Sequence, residues 1–181
     1  MRKDDERNAG TVSRRQALRV GGSSLVAGAV APAALASVVK YEGDLAILNV
    51  ALGLELQAIA AYDAGAGSKL LTPDQLKIAV SFQKEHKRHR DALIGLIRRF
   101  GGTPVEPKSA YNFGTITSAT DIVKLAQGLE EGAEMAYLTN AGKLENREIL
   151  NAAVPILEDE IRHNIVFRQL LGMDITTRLK Y

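Results

Sequence analysis

Four stretches of the chain carry apolar residues at steps of three or four, the spacing that lines one face of an α-helix. From about Asp44 to Ala64 the stripe is Leu48, Leu52, Glu55, Ile59 and Tyr62. From Pro73 to Phe100 it is Phe82, His86, His89, Leu93 and Leu96, with Glu85 at its margin. The third, from Ala119 to about Asn140, is Val123, Ala126, Glu130, Ala133 and Tyr137, and the fourth, from about Asn146 to Leu171, is Ala153, Ile156, Glu160, His163, Phe167 and Leu170. Every stripe is interrupted by a carboxylate or an imidazole where an apolar contact belongs. Burying an ionised carboxylate costs several kcal/mol unless a basic group or a metal ion accompanies it.

The ends of these segments carry their own signals. Thr72-Pro73-Asp74-Gln75 offers an N-cap, a proline in the first helical position and a Gln three residues after the cap, and Ser118-Ala119-Thr120-Asp121 is a second capping box. Gly65 and Gly67 are expected to break the first helix, Gly101-Gly102 the second, and Gly172 to follow the fourth. Pro155 lies inside the fourth helix and is expected to kink or loosen it. Thr103 to Thr117 has Pro104, Pro107, Gly114 and little periodicity, so it reads as a long connection able to cross from one end of a bundle to the other. The predicted fold is all-α: an antiparallel four-helix bundle with a long connection between helices 2 and 3, spanning residues 37–181.

Composition sharpens this picture. The chain has 181 residues, enough for one domain with a real core. It has no Cys, which excludes disulfides, thiolate metal sites and a Cys nucleophile, so any metal must be held by His, Asp or Glu. The pI near 8.9 suggests a nucleic-acid partner at first sight. The excess charge, however, sits in residues 1–36, where Arg2, Lys3, Arg7, Arg14, Arg15 and Arg19 face only Asp4, Asp5 and Glu6. Taking these from totals of 23 basic and 21 acidic residues leaves 17 and 18, a net charge of −1. A basic groove for nucleic acid is not supported.

Residues 1–36 read as an export segment. Ser13-Arg14-Arg15-Gln16-Ala17-Leu18-Arg19 resembles the twin-arginine (Tat) motif, a Gly/Ala/Val-rich run follows from Val20 to Leu35, and Ala34-Leu35-Ala36 fits a cleavage site. The expected location is periplasmic or extracellular. No transmembrane domain is expected unless this segment is retained as an anchor.

Comparing the halves turns scattered polar residues into a repeat. Glu55 precedes Tyr62 by seven residues and Glu130 precedes Tyr137 by seven; Glu55 to His89 is 34 positions and Glu130 to His163 is 33. One helical hairpin is used twice. Packed as a bundle, the repeat gathers Glu55, His86, His89, Glu130, Glu160 and His163 at similar depth, and these include all three histidines of the chain. Tyr62 and Tyr137 are expected to pack with their hydroxyls satisfied, while Glu85, Glu131 and Glu134 are expected at the surface.

The arrangement Leu54-Glu55-Leu56, Glu85-His86-Lys87-Arg88-His89, Leu129-Glu130-Glu131 and Glu160-Ile161-Arg162-His163 resembles the ferritin-like di-iron carboxylate superfamily, and more narrowly its bacterial secreted, Tat-exported members. In that superfamily two helices each give a Glu and two others each give a Glu-x-x-His pair. The resemblance covers nearly everything after residue 36. It implies a ferritin-like bundle with Glu55 and Glu130 as single ligands, Glu160 with His163 as one complete pair, and His89 as the histidine of the other. His86 stands where that pair's Glu belongs, with Glu85 one residue away, so either His86 ligates or a modest helix rotation brings Glu85 in. The implied cofactor is iron or manganese, with zinc also open, at one or two ions per chain.

The resemblance implies a metal-binding protein of the cell envelope that oxidises ferrous iron or reduces peroxide; whether it is an enzyme stays open. The alternative is a non-catalytic envelope protein with a vestigial site, its glutamates satisfied by the histidines and by Arg162 or Arg90, acting through partner association or stress protection. Metal ions are the expected partners, with a homo-oligomer or a secreted protein partner also open.

Overall fold

A computed structural model describes residues 41–176. They form four helices: α1 (Glu42–Gly67), α2 (Pro73–Arg99), α3 (Ala119–Ala141) and α4 (Arg147–Leu170), with no strand among the described residues. The all-α expectation holds. The twin-arginine motif and the rest of residues 1–36 lie outside the described residues, as do the last five positions of the chain.

The caps anticipated from sequence are present. The Thr72 hydroxyl accepts from Gln75 N at 3.3 Å while the Gln75 side chain accepts from Thr72 N at 3.0 Å; Ser118 and Asp121 make the same reciprocal pair at 3.1 and 2.9 Å. Two helices end in the same way. Gly101 and Gly172 take positive φ of 82° and 67°, and the next residue's N–H returns to the carbonyl of Ile97 or Arg168. Only glycine enters that left-handed region without steric cost, which is why α2 and α4 stop there.

One expectation needs correction. Gly65 does not break α1, which continues to Gly67; a Cβ on Gly65 would lie 2.9 Å from Ile122 Cγ2, so this glycine lets α3 approach closely. Pro155, expected to kink or loosen α4, lies inside it, and the helix continues on both sides. Both Pro155 and Asn151, whose carbonyl loses its helical partner, are exposed.

The pairings give the topology. Glu55 meets Tyr137 and Tyr62 meets Glu130, so α1 and α3 run antiparallel. His89 meets Asp159 and Glu85 meets His163, so α2 and α4 do as well. Hairpins α1–α2 and α3–α4 therefore face each other in opposite senses, and α3 must start at the far end from where α2 stops. Residues 100–118 bridge that distance: the chain leaves α2 beside Asn49, whose side chain bonds Thr103 O and Val105 N, and enters α3 beside Gly65. Measured along α1 from Asn49 to Gly65 the span is about 24 Å, well within reach of an extended connection of this size.

The core is layered. One apolar cluster, including Leu48, Leu52, Leu93, Ile97, Ile149 and Ile156, fills the end near the α1 N-terminus; a second, including Ala58, Phe82, Val123, Ala126 and Phe167, fills the other. Leu52, Leu93, Ile97 and Ile149 are fully buried, each contributing about 1.5–3 kcal/mol by removal from water. Between the two clusters lies a polar layer. By length and composition α1 could cross a membrane, yet its buried residues include Asp44 and Glu55. Asp44 is a structural anchor, accepting from Glu145 N at 3.0 Å and Asn146 N at 2.8 Å and so tying the α3–α4 turn to the start of α1.

Candidate metal centre

The six residues marked out by the repeat meet in the polar layer. Glu55, His86, Glu130, Glu160 and His163 are at most 2% exposed, and His89 is 6%. One atom each from Glu55, His86, His89 and Glu160 lie within 4.8 Å of one another, and so do atoms of His86, Glu130, Glu160 and His163. His86 and Glu160 belong to both groups. The helix periods that deliver these side chains also put apolar residues immediately above and below them, so the layer is sealed along the bundle axis.

His86 occupies the middle. Its Nδ1 is 2.8 Å from Glu55 Oε2 and its Nε2 is 3.1 Å from Glu130 Oε1. Each ring nitrogen thus faces a carboxylate, an arrangement that favours the protonated, doubly donating imidazole. Burial opposes that charge, but the hydrogen bonds to Glu130 and Glu55 outweigh it and push His86 well above its usual range. The same bonds act on the carboxylates: burial would raise Glu55 and Glu130, yet the histidines hold both below the ordinary carboxylate value.

The tyrosines cross between halves. The Tyr62 hydroxyl donates to Glu130 Oε1, and the Tyr137 hydroxyl donates to Glu55 Oε1 at 3.1 Å. Each helix hairpin therefore satisfies the glutamate of the other. Burial first, and the carboxylates beside them second, push both phenols far above their usual range, which keeps them as donors.

Glu160 differs from the other two glutamates. Neither of its oxygens has a hydrogen-bond partner, and neither does His89 Nδ1, which faces Glu160 Oε1 at 3.2 Å and Glu55 Oε2 at 3.5 Å. Burial raises Glu160 well above the carboxylate range, and the neighbouring Glu130 and Glu55 add to it. Orphaned buried polar atoms are rare in folded proteins. Here an imidazole nitrogen and carboxylate oxygens converge, the donor set suited to iron, manganese or zinc, so the residues present fit a divalent ion at Glu55, His89 and Glu160.

The far nitrogens of two histidines are held from outside the layer. His89 Nε2 donates to Asp159 Oδ2 at 3.0 Å, and His163 Nε2 donates to Glu85 Oε2 at 2.6 Å. Arg162 joins the two acids, donating to Glu85 Oε2 at 2.8 Å and to Asp159 Oδ1. A carboxylate behind a histidine fixes its ring and turns the other nitrogen inward, an arrangement frequent behind metal-bound imidazoles. His89 is raised to about 10: burial lowers it, but the carboxylates of Glu160 and Glu55 close to Nδ1 and the Asp159 carboxylate at Nε2 prevail. The His163 ring is held further by Phe82, stacked at a centroid distance of 3.9 Å.

Several sequence expectations change at this point. Of the two candidates on α2, His86 enters the core and Glu85 stays at the rim as partner of His163 and Arg162, so Glu85 is neither a core group nor a free surface residue. Glu134, expected at the surface, is 4% exposed and accepts from Asn164 Nδ2 at 2.7 Å. Arg162 ties the rim acids rather than the core glutamates, and Arg90 bonds Asp91. Asp159 was not anticipated. Its signal in the sequence is weak: it sits one residue before Glu160 and one helical turn before His163.

Four helices around a buried Glu/His layer, with crossed tyrosines, define a ferritin-like bundle. The chain belongs to the ferritin-like domain family, whose sequence pattern matches residues 43–173. It is similar in structure to a conserved hypothetical protein, Rv2844, from Mycobacterium tuberculosis: 22% identity, a TM-score of 0.66, and coverage of 71% of this chain and 97% of that one. At that identity the likeness concerns the fold. A search of curated proteins found none that matches.

Proposed function

We propose that this chain is a metal-binding protein of the cell envelope, exported by the twin-arginine route, that oxidises ferrous iron or reduces peroxide at the Glu/His layer. The observation carrying this reading is the convergence of partnerless buried atoms, His89 Nδ1 and both oxygens of Glu160. Leaving such atoms unpaired costs about 1–3 kcal/mol each, more for charged groups, and an ion removes that cost. The Tat motif supports the location, because that route exports folded proteins.

The chain's own groups would act as follows. Glu55, His89 and Glu160 bind the ion, with Glu130, His86 and His163 completing the layer. With an ion bound in place of the Nδ1 proton, Asp159 would keep the remaining proton of His89 on Nε2, so that Nδ1 could present its lone pair inward. Tyr137 fixes Glu55, and the apolar clusters above and below exclude bulk water. A bound redox-active ion would supply the electrons, one from each ferrous ion; two electrons and two protons convert hydrogen peroxide to two waters.

Elemental mass spectrometry on protein purified without a metal-affinity tag tests the reading. Stoichiometric iron or manganese, lost in Glu160→Ala, is the expected result; the same metal content in the variant would sink it. One observation favours the alternative, a non-catalytic protein with a vestigial site: His86 and His163 already have carboxylate partners at both ring nitrogens. In that case chelator leaves the melting temperature unchanged, whereas an ion bound only to the native state raises it by mass action.

A further inference from the structure

We infer that the end of the bundle where α3 begins holds a binding pocket for dioxygen, walled by the Tyr62 ring whose hydroxyl enters the Glu/His layer. The pocket stands on its own geometry; it rests on the metal-binding reading above only for its purpose, which is to hold dioxygen beside the ion.

Small side chains make the space. Ala61 and Gly65, one turn apart on α1, line a cavity of about 20 Å³ together with Ala79 on α2 and Ala126 on α3, and all four are buried. The helices are not splayed there: a Cβ on Gly65 would lie 2.9 Å from Ile122 Cγ2. The gap therefore comes from side chains cut short. Folded interiors leave few voids larger than a water molecule. A water needs roughly 10–15 Å³, so the cavity admits one small guest.

The lining selects against polar guests. Its one hydroxyl, on Tyr62, donates to Glu130 Oε1, and the Gln75 side-chain oxygen is engaged with Thr72 N at 3.0 Å in the cap of α2. A buried water makes about two to four hydrogen bonds, and neither water nor hydrogen peroxide would recover them against these walls. Dioxygen has no such bonds to lose and gains apolar contact on entry.

The pocket is connected in two directions. Inward, the Tyr62 and Phe167 rings of its wall lie 6.2 Å apart between centroids; Phe167 meets Phe82 edge-on at 5.5 Å, and Phe82 stacks on His163. One aromatic layer thus separates it from the polar one. Outward, Gln75, Val123 and Leu170 line both this pocket and a wider groove of about 510 Å³. A second small cavity, walled by Tyr137 at the other end of the α1–α3 seam, differs: α2 contributes nothing to it, and its lining includes Val50, which is 58% exposed. That one is a surface crevice.

Dissolved dioxygen is the probe, because its paramagnetism speeds the relaxation of protons it approaches. Metal-free protein with labelled methyl groups is compared by nuclear magnetic resonance under dioxygen and under nitrogen. The expected result is a several-fold larger increase in relaxation at Ala79, Val123 and Ala126 than at Leu93 and Ile97, which are also buried but line neither cavity. Equal increases at all five would overturn the inference. A gadolinium chelate, too large and polar for the pocket, should affect none of them; the dioxygen pattern reproduced by the chelate would mean plain solvent exposure and would overturn it too. Ala79→Leu puts a larger side chain into the space and should erase the excess at Val123 and Ala126, and an excess that persists in the folded variant would place the gas elsewhere. Should that variant not fold, xenon under pressure serves instead: it should compete with dioxygen in the wild type, and a lack of competition would count against the pocket. None of these readouts involves metal. A wild-type protein that takes up no iron, manganese or zinc would sink the proposed function and leave the pocket, whereas uniform relaxation in a protein shown to bind metal would do the reverse.

Discussion

The α1–α2 and α3–α4 hairpins repeat one plan, yet their polar residues end in different states. In both, a glutamate on the first helix accepts from a tyrosine seven residues along the other half's first helix. In both, a histidine on the second helix is held from behind by an acid across the α2–α4 side. They part where α2 carries His86 and α4 carries Glu160. His86 bonds two carboxylates; Glu160 makes no well-aligned hydrogen bond and has only the 3.2 Å approach of His89 Nδ1. A near-symmetric scaffold can thus hold an unsymmetrical charge pattern through a single residue, and the unsatisfied half is where a ligand is called for.

The largest effect expected from breaking this comparison is on stability at His86. His86→Ala leaves Glu55 and Glu130 buried without their shared cation and should cost about 3–5 kcal/mol in the metal-free protein, read from urea unfolding. His89→Ala should cost less there, because the carboxyl it faces, Glu160, is raised and can stay neutral once the imidazole is gone, but should abolish metal binding. Equal losses in the two variants would erase the distinction drawn between the halves.

The tyrosine pair should behave alike. Tyr62→Phe and Tyr137→Phe each remove a buried donor to a charged acceptor, worth about 1.5–3 kcal/mol by the same measurement. A loss confined to one of them would show that the crossed bonds are not equivalent.

The pH dependence of the metal-free protein separates the groups in another way. Glu55 is lowered in the fold, so its contribution is present above its ordinary value of 4.5 and lost as pH falls below it. His89 is raised from 6.5 to about 10, so its contribution is full below 6.5 and lost as pH rises through 10. Glu160, also raised, gives stability that fades as pH climbs above 4.5. Metal-free protein should therefore be most stable in mildly acidic solution, with urea midpoints falling toward alkaline pH. Bound metal, which favours ionised Glu160 and a free Nδ1, should move the optimum upward.

The smallest expected effect is at the rim. Arg162 is 46% exposed, and Arg162→Ala should change stability by no more than about 1 kcal/mol. Loss of the tie between Glu85 and Asp159 should speed metal release to a chelator several-fold, measured by stopped flow.

The faces of the helices were legible because a three-or-four step identifies which side chains point inward. All six candidate residues are buried, and the reciprocal caps of α2 and α3 stand where Thr72 and Ser118 announced them. Stripes drift, however, because a helix turn is not a whole number of residues: Ile97 rather than Leu96 is fully buried, and Leu170 is exposed. What a single strand of sequence cannot carry is which helix lies opposite. Asp159 behind His89, Glu85 behind His163, Asp44 at the α3–α4 turn and Asn164 against buried Glu134 all depend on partners on another helix. The crossing of the tyrosines is of the same kind, since the seven-residue spacing is equally compatible with each tyrosine serving its own half.

That crossing has a consequence for how such a chain could arise. Contact of residue i in one unit with j in the other, matched by j with i, is the signature of an isologous dimer. Tyr62 with Glu130 and Tyr137 with Glu55 obey it within one polypeptide. The molecule has the bonding geometry that joining two hairpin subunits through residues 100–118 would produce, and within one chain the two units are free to differ, as His86 on one and Glu160 on the other do.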